Sequence, residues 1–129
     1  MERQKYLIDT NAIIDFLAGK LPANGRNFLV ELVDAIPQIS VISKIELLGF
    51  QTTNDQYEIL SGFVHDAKIL GLSETIVEKC IDLRKNHKIK LPDGIVAATA
   101  LTCDLSLVTR NVSDFINIPN LVVINPHNL

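Results

Sequence analysis

Four carboxylates stand where a catalytic site is expected. Asp9 follows the apolar run Tyr6-Leu7-Ile8. Glu46 sits in Ser43-Lys44-Ile45-Glu46, a spacing that also reads as a helix capping box. Asp93 lies between Pro92 and Gly94, at the mouth of the most apolar segment of the chain. Asp114 closes Thr109-Arg110-Asn111-Val112-Ser113-Asp114-Phe115. Each acid alone has a plain structural reading. Asp9 suits a helix N-cap, Asp93 a favourable first-turn charge, and Asp114 a solvated turn beside a core Phe115. Together they would repel and could not all ionise without compensation. A hard divalent cation supplies it. An oxygen-only donor set without His or Cys selects Mg²⁺ or Mn²⁺ over Zn²⁺. Such an ion attracts phosphate and activates water, which is the chemistry of metal-dependent nucleases.

A basic stretch precedes Pro92-Asp93. Arg84, Lys85, Lys88 and Lys90 supply four of the 12 Lys and Arg residues, with no acid among them. They read either as a solvated helix end or as a track for backbone phosphates leading to Asp93. Arg110 either contacts a phosphate or pairs with an acid. Asn11 and Thr109 flank the acids and serve as supporting groups, as does the neutral Asn111. His65, His87 and His127 show no ligand spacing and read as non-ligands. No G-x-G-x-x-G, P-loop or G-x-S-x-G occurs, so dinucleotide binding, Walker-type ATP binding and α/β-hydrolase chemistry have no support.

The elements that must position these groups alternate between strand and helix. Strands are expected at residues 5–8, 39–42, 68–72, 105–108 and 121–124. Helices are expected at 10–17, 24–36, 43–50, 53–65, 74–86 and 92–101. Asn24 and Ser43 are expected as helix caps, Thr53 and Gln56 form a capping-box pair, and Pro92 opens the last helix. In the helix at 74–86, Ile76, Val77, Cys80, Ile81 and Leu83 are expected to face inward. The pattern predicts a mainly parallel sheet with helices on both faces. Sites in such sheets form beyond the carboxyl ends of strands, where strand order reverses. Asp9 and the Thr109 segment leave strands at that edge.

The chain has 129 residues, enough for one domain with a self-sufficient core. Hydrophobic residues make up 47% and charged residues 21%, which excludes disorder, collagen and coiled coil. The N-terminal segment carries no signal-peptide pattern and no apolar run reaches membrane-spanning length. Cys80 and Cys103 are isolated and read as core residues in a reducing cytoplasm. The formal charge of −3 disfavours binding nucleic acid by bulk charge alone. A cation bound among the acids would reverse that locally.

Leu7-Ile8-Asp9-Thr10-Asn11, Ser43 to Phe50, Leu91 to Ala100 and Leu107 to Phe115 resemble the acidic motifs of PIN-domain ribonucleases, above all VapC-type toxins of type II toxin–antitoxin modules. The resemblance runs over essentially the whole chain. It implies a single PIN-like domain over residues 1–129, a three-layer α/β/α sandwich around a five-stranded, mainly parallel sheet. It implies an Mg²⁺- or Mn²⁺-dependent endoribonuclease in the cytoplasm. Asp9, Glu46 and Asp93 match the family's core acids, and Thr109 a position supporting the metal's water. The fourth acid falls at Asp114 or, in relatives, where Asn111 stands. Asp9 and Asp93 are expected to hold the metal, with Glu46 and Asp114 acting directly or through water. The resemblance further implies a homodimer and a small DNA-binding VapB-like antitoxin. That partner would insert a tail beside the site, near the helix at 24–36 and the helix pair at 43–64. Two other readings stay open: a phosphoryl-transfer domain using Asp9, and a PIN-like module without catalysis.

Overall fold

The structure, a computed structural model, describes residues 5–129. The reading of the N-terminal segment at 1–4 lies outside the described residues. Five short strands form one parallel sheet: β1 (Tyr6–Ile8), β2 (Gln38–Ser40), β3 (Lys68–Leu70), β4 (Ser106–Val108) and β5 (Val123–Ile124). Their order is β3-β2-β1-β4-β5. The order reverses between β1 and β4, which are paired Leu7 to Leu107 and Ile8 to Val108.

Side chains alternate across a strand, so each strand feeds two cores. Leu7 and Leu107 face one layer, built on α5 (Glu74–Asn86) and α6 (Leu91–Thr102). Ile8 and Val108 face the other. That layer is built on α1 (Thr10–Leu17), α2 (Ala23–Asp34), α3 (Val41–Leu48) and α4 (Asn54–Asp66). The result is the expected α/β/α sandwich. α6 is buried continuously from Gly94 to Ala100, as its nearly all-apolar sequence predicts. Thr53 caps α4 through the Gln56 N–H, also as expected.

Several local expectations are corrected. Ser40, not Ser43, caps α3, accepting from the Ile42 N–H. The helix therefore starts earlier and the strand before it ends earlier. Ser43 lies inside the helix, fully buried. The cap of α2 is Pro22 rather than Asn24, which sits in the first turn. α6 begins at Leu91, one residue before Pro92. β4 and β5 are shorter than expected because pairing is confined to the residues that reach a neighbouring strand. Val77 and Ile81 are exposed on α5, since only Ile76, Cys80 and Leu83 reach the core. Cys80 is buried, but Cys103 is exposed at the C-cap of α6, beyond the helix's buried stretch. Among the described residues no helix is long and apolar enough to cross a membrane.

Candidate active site

β1 and β4 end side by side, and the two loops that follow build the site. Asp9 leaves β1 with its N–H donating to the Val108 carbonyl at 2.9 Å. Its extended backbone makes it the N-cap of α1, and Oδ1 accepts from the Thr10 N–H at 2.9 Å. The helix cap and the candidate ligand are therefore the same carboxylate. Oδ2 accepts from the Thr109 hydroxyl at 3.0 Å and from the Asn11 amide at 3.3 Å. Asn11 in turn lies 3.0 Å from Thr109 Oγ1, and its carbonyl oxygen accepts from the Arg110 N–H at 2.8 Å. Thr109 also accepts from the Asn111 N–H. Asn11 and Thr109 thus tie the two loops together by hydrogen bonds.

Glu46 reaches the site from α3. The Thr10 hydroxyl donates to Oε1 at 2.6 Å, with the Ser43 hydroxyl 2.9 Å away. Glu46 is exposed, because α3 turns residues 44–46 outward. Its orientation comes from Thr10. Asp93 enters from the first turn of α6 and is half-buried. Asp114 lies in a 3-10 turn, Val112–Asp114, and is exposed beside the fully buried Phe115.

Charge ties the four acids together. Burial pushes the Asp9 carboxyl up to about 6, and the charges of Asp93 and Glu46 push the same way. The Thr10 N–H and the Thr109 hydroxyl oppose them. Asp93 is also raised, first by burial, then by Asp114 and Glu46, with Lys90 opposing. Asp9, Glu46 and Asp93 line one cleft of about 410 Å³ together with Asn11, Arg110 and Asn111. Asp114 lines a second cleft of about 740 Å³ with Arg84, Lys88 and Lys90. Asp93 borders both. Lys85 is separated from this group and borders an apolar depression with Val77 and Ile81.

The donor set suits a hard cation. Every candidate ligand is an oxygen, and Asp9 and Asp93 are each raised by neighbouring acids as well as by burial. Among the described residues, no three of His, Cys, Asp and Glu converge closely enough to hold an ion by themselves.

Sequence reasoning missed Asp15 and His127. Asp15 is buried on α1, paired with Arg110 and His127. The available signal was a lone carboxylate inside Ile13-Ile14-Asp15-Phe16-Leu17, since a buried charge requires a partner. Lys20, on the wall of the first cleft, was also missed and carries no such signal.

Comparisons with known proteins place the chain among relatives of the same fold. Residues 6–121 match the PIN domain family model. The chain is 33% identical to Ribonuclease VapC10 of Mycobacterium tuberculosis over 118 residues, covering 84% of each protein. Its fold is similar to a toxin–antitoxin complex from Klebsiella pneumoniae, with TM-score 0.76 and 31% identity over 94% of this chain and 97% of that one. It also resembles VapBC2 from Rickettsia felis bound to a promoter DNA fragment. There the TM-score is 0.78 and the identity 24%, over 93% of this chain and 97% of that one.

Proposed function

The chain belongs to the PIN-domain family, and from that premise we propose that it is a divalent-metal-dependent endoribonuclease acting as the toxin of a toxin–antitoxin pair. The observation that carries this reading is the cleft uniting Asp9, Glu46 and Asp93, with the Asp9 carboxyl raised by burial and by the other two acids. Asp9 and Asp93 would hold Mg²⁺ or Mn²⁺, with Glu46 and Asp114 joining directly or through water. Bound there, the ion would neutralise charge building on the phosphate and activate the attacking water.

The chain's own residues do the positioning. The Thr109 hydroxyl and the Thr10 N–H fix both oxygens of Asp9 before any ligand arrives. Thr10 holds Glu46 against α1, so the acids on α1 and α3 keep their spacing. Arg84, Lys88 and Lys90 would engage phosphates of the strand in the second cleft, leading it past Asp93. Their charge offsets the acidity of the whole chain where RNA must lie.

The partner reading rests on the relatives, whose solved forms include toxin–antitoxin complexes. In this reading the chain pairs with a small DNA-binding antitoxin that blocks the cleft. It forms a homodimer through the exposed apolar face of α5 and its surroundings, where Leu72, Val77, Ile81 and Leu91 stand open.

The test is cleavage of single-stranded RNA with Mg²⁺ or Mn²⁺. Asp9→Asn and Asp93→Asn should each abolish cleavage while the protein stays folded. Wild-type rates in either variant would remove the site assignment. Growth arrest on expression, relieved by the protein encoded beside it, tests the toxin role.

A further inference from the structure

Three segments distant in sequence meet at one buried carboxylate. Asp15 lies on α1, with its side chain only 4% exposed. The Arg110 Nη1 donates to Oδ1 at 3.0 Å and to Oδ2 at 2.9 Å. The His127 Nε2 lies 2.8 Å from Oδ2. An ionised carboxylate only accepts, so Nε2 carries the hydrogen.

The way Arg110 is used points to a second task. A guanidinium that served only to neutralise Asp15 would do so best as a fork, two nitrogens on two oxygens. Here one nitrogen serves both oxygens. Nε and the other terminal nitrogen have no protein partner among the described residues. The side chain is half exposed and lies on the wall of the Asp9 cleft. Its backbone is fixed as well, through the Asn11 side chain. Arg110 is therefore a cation held at its root, with donors left for an anion.

His127 is held just as firmly. Its N–H donates to Asn125 Oδ1 at 2.9 Å, and Pro126 is buried. The Pro126 carbonyl oxygen lies 1.8 Å from where a side chain at position 25 would begin, so α2 accepts this turn only because residue 25 is glycine.

We propose that Arg110 binds a backbone phosphate of the RNA strand in the Asp9 cleft, and that Asp15, braced by His127, is the positioning residue that aims it. The identity of the ligand rests on the nuclease reading; the anchor geometry does not.

The experiment measures binding of a fluorescein-labelled single-stranded RNA by the full chain with Mg²⁺. All variants carry Asp93→Asn so that the strand is not cut. Arg110→Gln should weaken binding about tenfold. It should also lower the slope of log K against log salt by about 0.7, the loss of one phosphate contact on a single strand. Arg110→Lys, which keeps the charge and the Asp15 pair, should lose less. Asp15→Asn should weaken binding without changing the slope, and the Asp15→Asn, Arg110→Gln double variant should bind no worse than Arg110→Gln. His127→Ala should lose part of the affinity, and His127→Gln, which keeps an N–H donor, should restore it. A purely structural ion pair would lower the melting temperature and leave the salt slope of the folded protein unchanged. Wild-type affinity and slope in Arg110→Gln, or no RNA binding by the reference chain, would overturn the proposal. Cleavage by the unsubstituted chain is scored separately. Intact cleavage with no Arg110 effect sinks only this inference. Arg110-dependent binding without cleavage sinks only the nuclease reading.

Discussion

The hydroxyl of Thr109 lies 3.0 Å from Oδ2 of Asp9, across 100 residues of sequence and in a fully buried position. This bond exists because β1 and β4 are paired in register up to Ile8 and Val108, so the next residue of each strand emerges beside the other. It holds the one buried acid among Asp9, Glu46, Asp93 and Asp114.

Removing that hydroxyl should therefore disturb chemistry more than folding. Thr109→Val keeps the shape and withdraws a donor from the ionised form of Asp9, so the Asp9 carboxyl rises further. Cleavage at neutral pH should fall about tenfold, the worth of one hydrogen bond to a charged group. Thr109→Ser should retain most activity. Equal rates in wild type and Thr109→Val would refute the role.

The stability of the metal-free protein should carry the signature of Asp9. Its carboxyl is raised from 3.8 to about 6 in the folded state. The folded protein thus holds this proton more tightly than the unfolded chain. Stability from this group is greatest below 3.8, declines as pH rises toward about 6, and stays low above that. The full difference is at most about 3 kcal/mol. In EDTA, Asp9→Asn should flatten that part of the pH dependence and unfold at higher denaturant than wild type at pH 7.5. Mg²⁺ should then stabilise wild type more than the variant. Denaturant titrations at pH 5 and pH 7.5 decide it, and parallel pH curves for the two proteins would contradict it.

The basic segment should divide in function. Arg84, Lys88 and Lys90 border the cleft shared with Asp93 and Asp114, whereas Lys85 borders an apolar depression. Lys88→Ala with Lys90→Ala should raise KM for RNA several-fold and reduce its salt dependence. Lys85→Ala should leave both near wild type. A KM effect of equal size at Lys85 would mean that the strand does not follow this cleft.

Gly25→Ala places a methyl where the Pro126 carbonyl lies. It should cost about 2–3 kcal/mol by forcing the C-terminal turn away from α2. The melting temperature should fall by several degrees, and the His127 ring resonances should shift as its contact with Asp15 is lost. An unchanged melting temperature would show that the turn moves freely.

Ile36, between α2 and β2, has φ of 63° and is exposed. A β-branched residue is strained in that region. Ile36→Gly should raise stability by about 1 kcal/mol, read as an upward shift of the denaturation midpoint. No shift would indicate that the exposed side chain contributes as much as the strain removes.

The sequence carried much of this protein's plan. Alternating apolar runs and helical periodicity determined the sandwich, because burial on both faces demands strands with no polar side. The order of Asp9, Glu46, Asp93 and Asp114 marked the acids, since carboxylates placed just after strands and at helix starts arrive at one edge of a parallel sheet. Asp9 was legible as a cap and as a candidate ligand at once, and the structure shows the cap. Ser43 was not legible. Its spacing to Glu46 satisfies the capping-box pattern, but Ser40 offers a cap three residues earlier through the Ile42 N–H, where the strand's pairing ends. Local spacing cannot choose between two competent caps; the partner strand does. Val77 and Ile81 read as core because periodicity gives a face its direction but not its width. The meeting of Asp15, Arg110 and His127 lay beyond any local signal. Their contact depends on where α1, the β4 loop and the C-terminal turn come to rest, over separations of 95 and 112 residues. Composition and spacing determined which groups could do chemistry. Only the packed sheet decided which of them share a hydrogen bond, because that depends on distances set by burial across the whole chain.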